Sequence, residues 1–252
     1  MKALILSDIH SNIEALEAIW AQENDSDLVY CTGDLVDYGP HPAAVIAWVQ
    51  EHAVRCVQGN HDRFLTMIYQ RGERLADLPV EQRAWVHHNA SLLKESDIKF
   101  LEALPEQLSF ELDGKQYGLR HMYRDYEEII SLHAFNQFSA ETFPECEPGV
   151  IQRLILGHTH RQAVRYLSDA QLWLNPGSVS YRRKDDPDQS AHYATITNGQ
   201  ISLKRLTYDV RPVFASMSQA VLKESEMRHI ELFASQQLAR QSSAASWIIP
   251  RS

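Results

Sequence analysis

Three short apolar runs, at residues 3–6, 28–31 and 54–57, fall within the first sixty positions, and each stops abruptly in polar side chains. Runs of this length read as buried strands. Between the first two, Ile13, Leu16, Ile19 and Trp20 mark one helical face. Ser11 and Glu14 have the spacing of a capping box at its start. Between the second and third, Pro42 opens another helix, with Val45, Trp48 and Val49 pointing inward. The order β-α-β-α-β predicts strands of one parallel sheet, and in such sheets ligands collect beyond the carboxyl ends of the strands. Those ends are Ser7-Asp8-Ile9-His10, Thr32-Gly33-Asp34 and Gly59-Asn60-His61-Asp62. No hydrophobic core requires such endings.

The rest of the chain supplies more of them. Residues 63–105 read as a helical insert, with helices at 64–69, from Pro79 through Ala84, Trp85 and Val86, and at 97–104. The period then changes to two. Leu108, Phe110 and Leu112 alternate, Asp113-Gly114 is a hairpin turn, and the returning strand ends on His121. Residues 123–149 are polar, aromatic and acidic, and read as a cover over a site. A strand at 151–156 runs into Gly157-His158-Thr159-His160. A hairpin at 163–174 ends in Asn175-Pro176-Gly177-Ser178, and Asn198-Gly199 turns another at 192–206. The second half is therefore expected to be strand-rich and antiparallel. Residues 1–210 form one predicted domain of two packed sheets. Residues 211–252 form a predicted helical extension, packed on that domain or at a homo-oligomer interface.

Composition narrows the function. A formal charge of -9 argues against a dedicated nucleic-acid surface, which would be basic. It leaves room for a phosphate substrate, because a bound cation reverses the local field. The three cysteines, Cys31, Cys56 and Cys146, are widely spaced and predict neither a zinc site nor a disulfide framework. With no signal-peptide pattern at the start and no apolar run near the ~20 residues of a membrane span, a cytoplasmic protein is expected.

Five strand ends thus carry Asp8 and His10, Asp34, Asn60 and His61, His121, and His158 and His160. In extended backbone the i, i+2 spacing of Asp8/His10 and of His158/His160 puts both side chains on one face, so each pair can grip an ion from its side. Asp34 and Asn60 add oxygen donors and His121 a nitrogen. Mixed carboxylate and imidazole donors suit Mn, Fe, Zn or Ni better than Ca or Mg. Seven donors are too many for one tetrahedral ion and suit two ions sharing a carboxylate, ~3.5–4 Å apart. Other polar groups have blander readings. Asp62 caps the helix from Phe64, Arg182-Arg183-Lys184 is a solvated loop, and His41, His52, His87, His88, His133, His192 and His229 are surface or loop residues.

Asp8-x-His10, Gly33-Asp34 with Asp37, Gly59-Asn60-His61-Asp62, His121 and Gly157-His158-x-His160, in that order, resemble the calcineurin-like metallophosphoesterase family. The resemblance spans about residues 1 to 206. It implies an α/β fold, a four-layer α/β-β/α sandwich of two mixed sheets flanked by helices. It also implies a binuclear centre of two divalent transition-metal ions (Mn, Fe, Ni or Zn, with Mn favoured). Asp8, His10 and His160 would hold one ion, Asn60, His121 and His158 the other, and Asp34 would bridge. His61 would be the general acid, oriented by Asp37. The implied function is hydrolysis of a phosphate mono- or diester by in-line attack of a metal-bridging hydroxide. Tyr38 stands where the related Ser/Thr protein phosphatases have a phosphate-binding arginine. Asn175-Pro176-Gly177-Ser178 resembles the small prokaryotic phosphodiesterase and diadenosine tetraphosphatase-like branch. A phosphodiester or dinucleotide polyphosphate is therefore favoured as substrate. The alternatives are a Ser/Thr protein phosphatase-like activity and a non-enzymatic binding scaffold.

Overall fold

The computed structural model describes residues 1–180 and 190–227. Arg182-Arg183-Lys184 and residues 228–252 of the predicted C-terminal extension, His229 among them, lie outside the described residues. The first sheet takes β1 (Lys2–Leu6), β2 (Leu28–Cys31) and β3 (Arg55–Cys56), with α1 (Ile13–Glu23) and α2 (Pro42–Glu51) as crossovers. The three strands are parallel, with Leu6 beside Cys31 and Cys31 beside Cys56. A helical segment follows: α3 (Asn60–Gln70), α4 (Trp85–Leu92) and α5 (Glu95–Glu102). The second sheet holds β4 (Gln107–Leu112), β5 (Lys115–Arg120), β6 (Arg153–Ile155), β7 (Gln162–Tyr166) and β8 (Leu172–Pro176), in the order β4-β5-β6-β8-β7. Between β5 and β6 lies α6 (Leu132–Thr142), and after β8 come β9 (Ala191–Thr197), β10 (Gln200–Leu206) and α7 (Arg211–Met217).

Two expectations change here. The second half is mixed, not antiparallel, because β5, β6 and β8 run parallel to one another. The hairpin β9–β10 joins the first sheet, with β9 antiparallel to β1, giving the order β10-β9-β1-β2-β3. The alternation along β1 shows the reason for a two-sheet core. Ala3 and Ile5 face the second sheet, where they meet Tyr117, Leu119, Ile155 and Leu174. Leu4 and Leu6 face the other way, into the layer of α1 and α2. On the far side, Phe135 and Phe138 of α6 pack on Leu154 and Trp173. The result is helices, sheet, sheet, helix. Val213 of α7 belongs to the core around β1.

Local boundaries also shift. Asn12 rather than Ser11 caps α1, accepting from the Ala15 amide at 3.0 Å. The helix expected from Phe64 begins at Asn60. His192 is buried within β9 rather than on the surface.

One buried charge has a measurable consequence. Glu23, at the end of α1, is 2% exposed and meets Lys2 at 2.8 Å, Lys204 at 2.7 Å and the Tyr193 hydroxyl at 2.9 Å. Burial alone would raise its carboxyl, but the bonds from Lys2, Lys204 and Tyr193 hold it below the usual range. A depressed folded-state value stabilises the fold above the unfolded value and loses that contribution as pH falls through the folded one. Glu23→Gln is therefore expected to cost about 1–3 kcal/mol at pH 7, where it removes the buried anion that Lys2 and Lys204 share, and much less near pH 3. Urea unfolding at the two pH values measures the difference; equal costs at both would show that the charge is irrelevant.

Candidate metal centre

The parallel strands decide where the polar endings go. The carboxyl ends of β1, β2 and β3 emerge on one edge of the first sheet, and those of β5, β6 and β8 on one edge of the second. The two edges adjoin, so chain segments far apart in sequence converge. The loops after the strands turn sharply. Asp8, His10, Asp34, Asp37, His158 and His160 all have positive φ, between 47° and 74°. Non-glycine residues rarely adopt this region, Asp, Asn and His being the least averse, and clusters of such backbone strain are a feature of functional sites.

The turns overrule the simple spacing argument. Asp8/His10 and His158/His160 are not extended. Asp8 and His10 do share one cluster, with His160, but His158 joins Asp34 and His121 in a second. Within each cluster the donor atoms lie within 4.8 Å of one another. In the first, His160 Nε2 is 3.3 Å from Asp8 Oδ1 and 3.3 Å from His10 Nε2. In the second, His121 Nε2 is 3.2 Å from Asp34 Oδ2. The Asn60 Oδ1 atom sits 2.8 Å from His121 Nε2 and 2.9 Å from His158 Nδ1. Asp34 Oδ2 lies between the clusters, 4.0 Å from His10 Nε2. The structure thus brings together all seven residues expected to hold metal.

The donor set fits cations on a direct observation. Asp8 Oδ1 and Asp34 Oδ2 are buried and accept no hydrogen bond from the described residues, although imidazole nitrogens stand close by. Buried carboxylate oxygens without a donor are costly. Here the nitrogens and oxygens are aimed past one another at shared points, as ligands are. The atoms behind them are anchored. Asp8 Oδ2 accepts from the Ser7 hydroxyl and from the His158 amide. Asp34 Oδ1 accepts from the His61 amide at 2.8 Å. His10 Nδ1 faces the Val36 carbonyl at 3.2 Å and His121 Nδ1 faces that of Thr32 at 2.8 Å, which sets each ring with Nε2 toward the other donors of the site. His158 is the reverse: Nδ1 faces inward, while Nε2 lies 3.5 Å from Asp125 Oδ1.

Charge is strongly organised. Burial opposes ionisation of Asp34, yet His121, His61 and His10 hold its carboxyl far below the ordinary range. Burial lowers His121, but Asp34 outweighs it and pushes the imidazole up to about 9. Burial takes His10 down to about 3, against the pull of Asp34. His61 stands beside the clusters. Burial lowers it, but the 2.7 Å bond from Nδ1 to Asp37 Oδ2, with the charge of Asp34, brings it up to about 9. The bond to Asp37 favours the protonated ring, with Nε2 turned away from Asp37. The Tyr38 ring packs against both His61 and His10, with centroids 4.8 and 5.2 Å away.

Several residues support the ligand loops without belonging to either donor cluster. Asp62 does cap α3, accepting from the Gly59 amide at 2.9 Å, but it also accepts from Asp34, Leu35 and Val36 and so pins the Asp34 loop to α3. Asn175 donates to the Gly157 carbonyl and Ser178 to that of Asp8, so the turn after β8 braces two ligand loops. From the segment expected to cover the site, Tyr126 stacks on the His158 ring at 5.0 Å. Gly59 stands at the N-terminal cap of α3. Its φ of -89° is ordinary, and the requirement is space: a Cβ there would fall on Asp34 Oδ1 and the Asp34 amide. Gly59→Ala is expected to displace Asp34, cost about 1–3 kcal/mol and lower metal content, read by thermal unfolding and elemental analysis. Full metal content with unchanged stability would contradict this account.

The comparisons with known proteins point the same way. The model of the calcineurin-like phosphoesterase superfamily domain matches residues 1–199. Over 239 residues the chain is 25% identical to an uncharacterized protein of Methanocaldococcus jannaschii, covering 87% of this chain and 93% of that one. It is 30% identical over 119 residues to a symmetrical bis(5'-nucleosyl)-tetraphosphatase of Pectobacterium carotovorum subsp. carotovorum, a match spanning 41% of this chain and 42% of that protein. The crystal structure of a metallophosphoesterase from Sphaerobacter thermophilus has a TM-score of 0.69 at 26% identity, covering 92% of this chain and all of that one.

Proposed function

The chain belongs to the calcineurin-like phosphoesterase superfamily and is a hydrolase of phosphoric ester bonds, and from that premise we propose that it cleaves a phosphodiester or dinucleotide polyphosphate at a binuclear metal centre. The observation that carries this is the pair of donor clusters on either side of Asp34, with the His61–Asp37 pair alongside. Asp8, His10 and His160 would hold one divalent ion, and Asn60, His121 and His158 the other, with Asp34 shared. The donor mixture suits Mn, Fe, Ni or Zn, and we favour Mn. Bound there, such ions supply Lewis acidity toward the phosphoryl oxygens and lower the pKa of a water for in-line attack.

The chain's own residues do the rest. Asp34, buried and ionised, concentrates negative charge where cations are needed. His61 carries the proton, and Asp37 fixes its ring so that Nε2 delivers that proton to the leaving oxygen. Tyr38 walls the site where a phosphate-binding arginine would serve a protein phosphatase, which supports a diester or nucleotide substrate. The resemblance to the tetraphosphatase supports a small nucleotide. No helix among the described residues is long and apolar enough to cross a membrane, and we place the enzyme in the cytoplasm.

The test is a substrate panel. Protein reconstituted with Mn, Zn, Ni or Fe is offered p-nitrophenyl phosphate, bis(p-nitrophenyl) phosphate and diadenosine tetraphosphate. Hydrolysis of at least one of the last two, abolished by chelation, is expected. Protein with both sites loaded that cleaves neither would refute the proposal.

A further inference from the structure

Asn89 lies in the middle of α4, in a helical segment where the sequence shows no motif. It is fully buried. A short polar side chain inside a helix is poorly placed for its own helix, and this one bonds elsewhere. Its Oδ1 accepts from the Asp37 amide at 2.9 Å and from the Ser11 hydroxyl at 2.5 Å. Its Nδ2 donates to the Gly39 carbonyl at 2.8 Å. The two bonds to 37–39 grip that turn at both ends.

The turn needs gripping. Asp37 and Tyr38 have φ of 74° and 56°, and the Gly39 amide folds back onto the Asp37 carbonyl at 2.7 Å. Strained backbone of this kind persists only when its surroundings over-determine it. The same turn directs the Asp37 carboxylate. Oδ1 accepts from the Tyr38 amide at 2.8 Å, which leaves Oδ2 on His61 Nδ1 at 2.7 Å.

We propose that Asn89 is a positioning residue for the proton donor, holding the 37–39 turn so that Asp37 orients His61. Asn89 bonds to no member of either donor cluster. The helical segment thereby has a role in the chemistry, since it provides both the donor, at the start of α3, and the brace for its partner, in α4. The inference rests on the reading of His61 as the general acid.

The test separates proton donation from folding. A general acid matters most when the leaving group is a poor one. The probes are diphenyl phosphate, whose phenol leaves with a pKa of about 10 as in tyrosine, and the activated bis(p-nitrophenyl) phosphate. Asn89→Ala is expected to lower kcat on the first about tenfold more than on the second, the size of one lost positioning hydrogen bond. Metal content, measured in every variant because Ser11 adjoins His10, should be unchanged. If Asn89→Ala does not fold, Asn89→Ser, whose shorter side chain cannot bridge Asp37 and Gly39, carries the test. Val86→Ala, a buried change in the same helix, should lower the melting temperature without separating the two esters. His61→Ala in parallel should separate them more widely than either Asn89 variant. Equal losses on both esters, loss of metal, or the same separation in Val86→Ala would overturn the role of Asn89. Separation by His61→Ala with none by Asn89 also overturns it while leaving the acid in place. No separation by His61→Ala overturns the acid itself.

Discussion

His61→Ala is expected to lower kcat by about 10²–10⁴-fold while both metal sites remain loaded. The reason lies in how His61 is used. Its backbone amide, not its ring, bonds Asp34 Oδ1 at 2.8 Å, and alanine keeps that amide. Its ring bonds Asp37 at 2.7 Å and is absent from both donor clusters. The substitution therefore removes the proton donor and leaves the anchored carboxylate intact. Steady-state kinetics on diphenyl phosphate, whose leaving group needs the proton, with elemental analysis of the same sample, tests this. Metal lost in proportion to activity would make His61 a ligand or a structural support rather than the acid.

Asp34→Ala should be more severe and of a different kind. Asp34 Oδ2 is the atom between the clusters, 3.2 Å from His121 and 4.0 Å from His10. Without it, each cluster loses a shared anion and the histidines face one another with less to offset their repulsion. Activity should fall by at least about 10³-fold, because a Lewis-acid contribution of several kcal/mol goes with the metals. Stability gives a second readout. Ions that bind only the folded state raise its stability by about 2.7 kcal/mol at a hundredfold excess over Kd. Wild-type protein should melt higher with added Mn, and Asp34→Ala should not respond. A variant that still shifts with Mn and keeps stoichiometric metal would show that Asp34 is not the shared ligand.

Much of this site was legible along the chain because its parts are local. An apolar run that ends in Asp-x-His, Gly-Asp or Gly-Asn-His-Asp is visible without knowing any partner. The β-α-β-α-β order says that the first three endings share an edge. The position of His121 at a strand end was readable from the hairpin turn at Asp113-Gly114 that precedes it. What was not legible depends on contacts between distant segments. Nothing around Asn89 distinguishes it from a solvent-facing residue, because its partners are 50, 52 and 78 positions away. Asp62 looked like a cap and is one, but its bonds to Asp34, Leu35 and Val36 cross between loops.

The sequence by itself determined the strand endings, the chemical kind of the donors and the alternation that buries both faces of β1. These follow from local periodicity and side-chain chemistry, which act within a few residues. Local spacing did not decide how the donors divide; the family resemblance implied the division, and the tertiary structure groups the donor atoms in the same way. The i, i+2 pattern suggested that His158 and His160 act together, and left-handed backbone at both sends them to different clusters. Only the tertiary structure placed β9–β10 beside β1, because strand pairing is settled by long-range burial and not by the hairpin's own pattern. It also showed that Gly59 is required by the Asp34 carboxylate packed against it, a steric demand that arises when two loops close on one point.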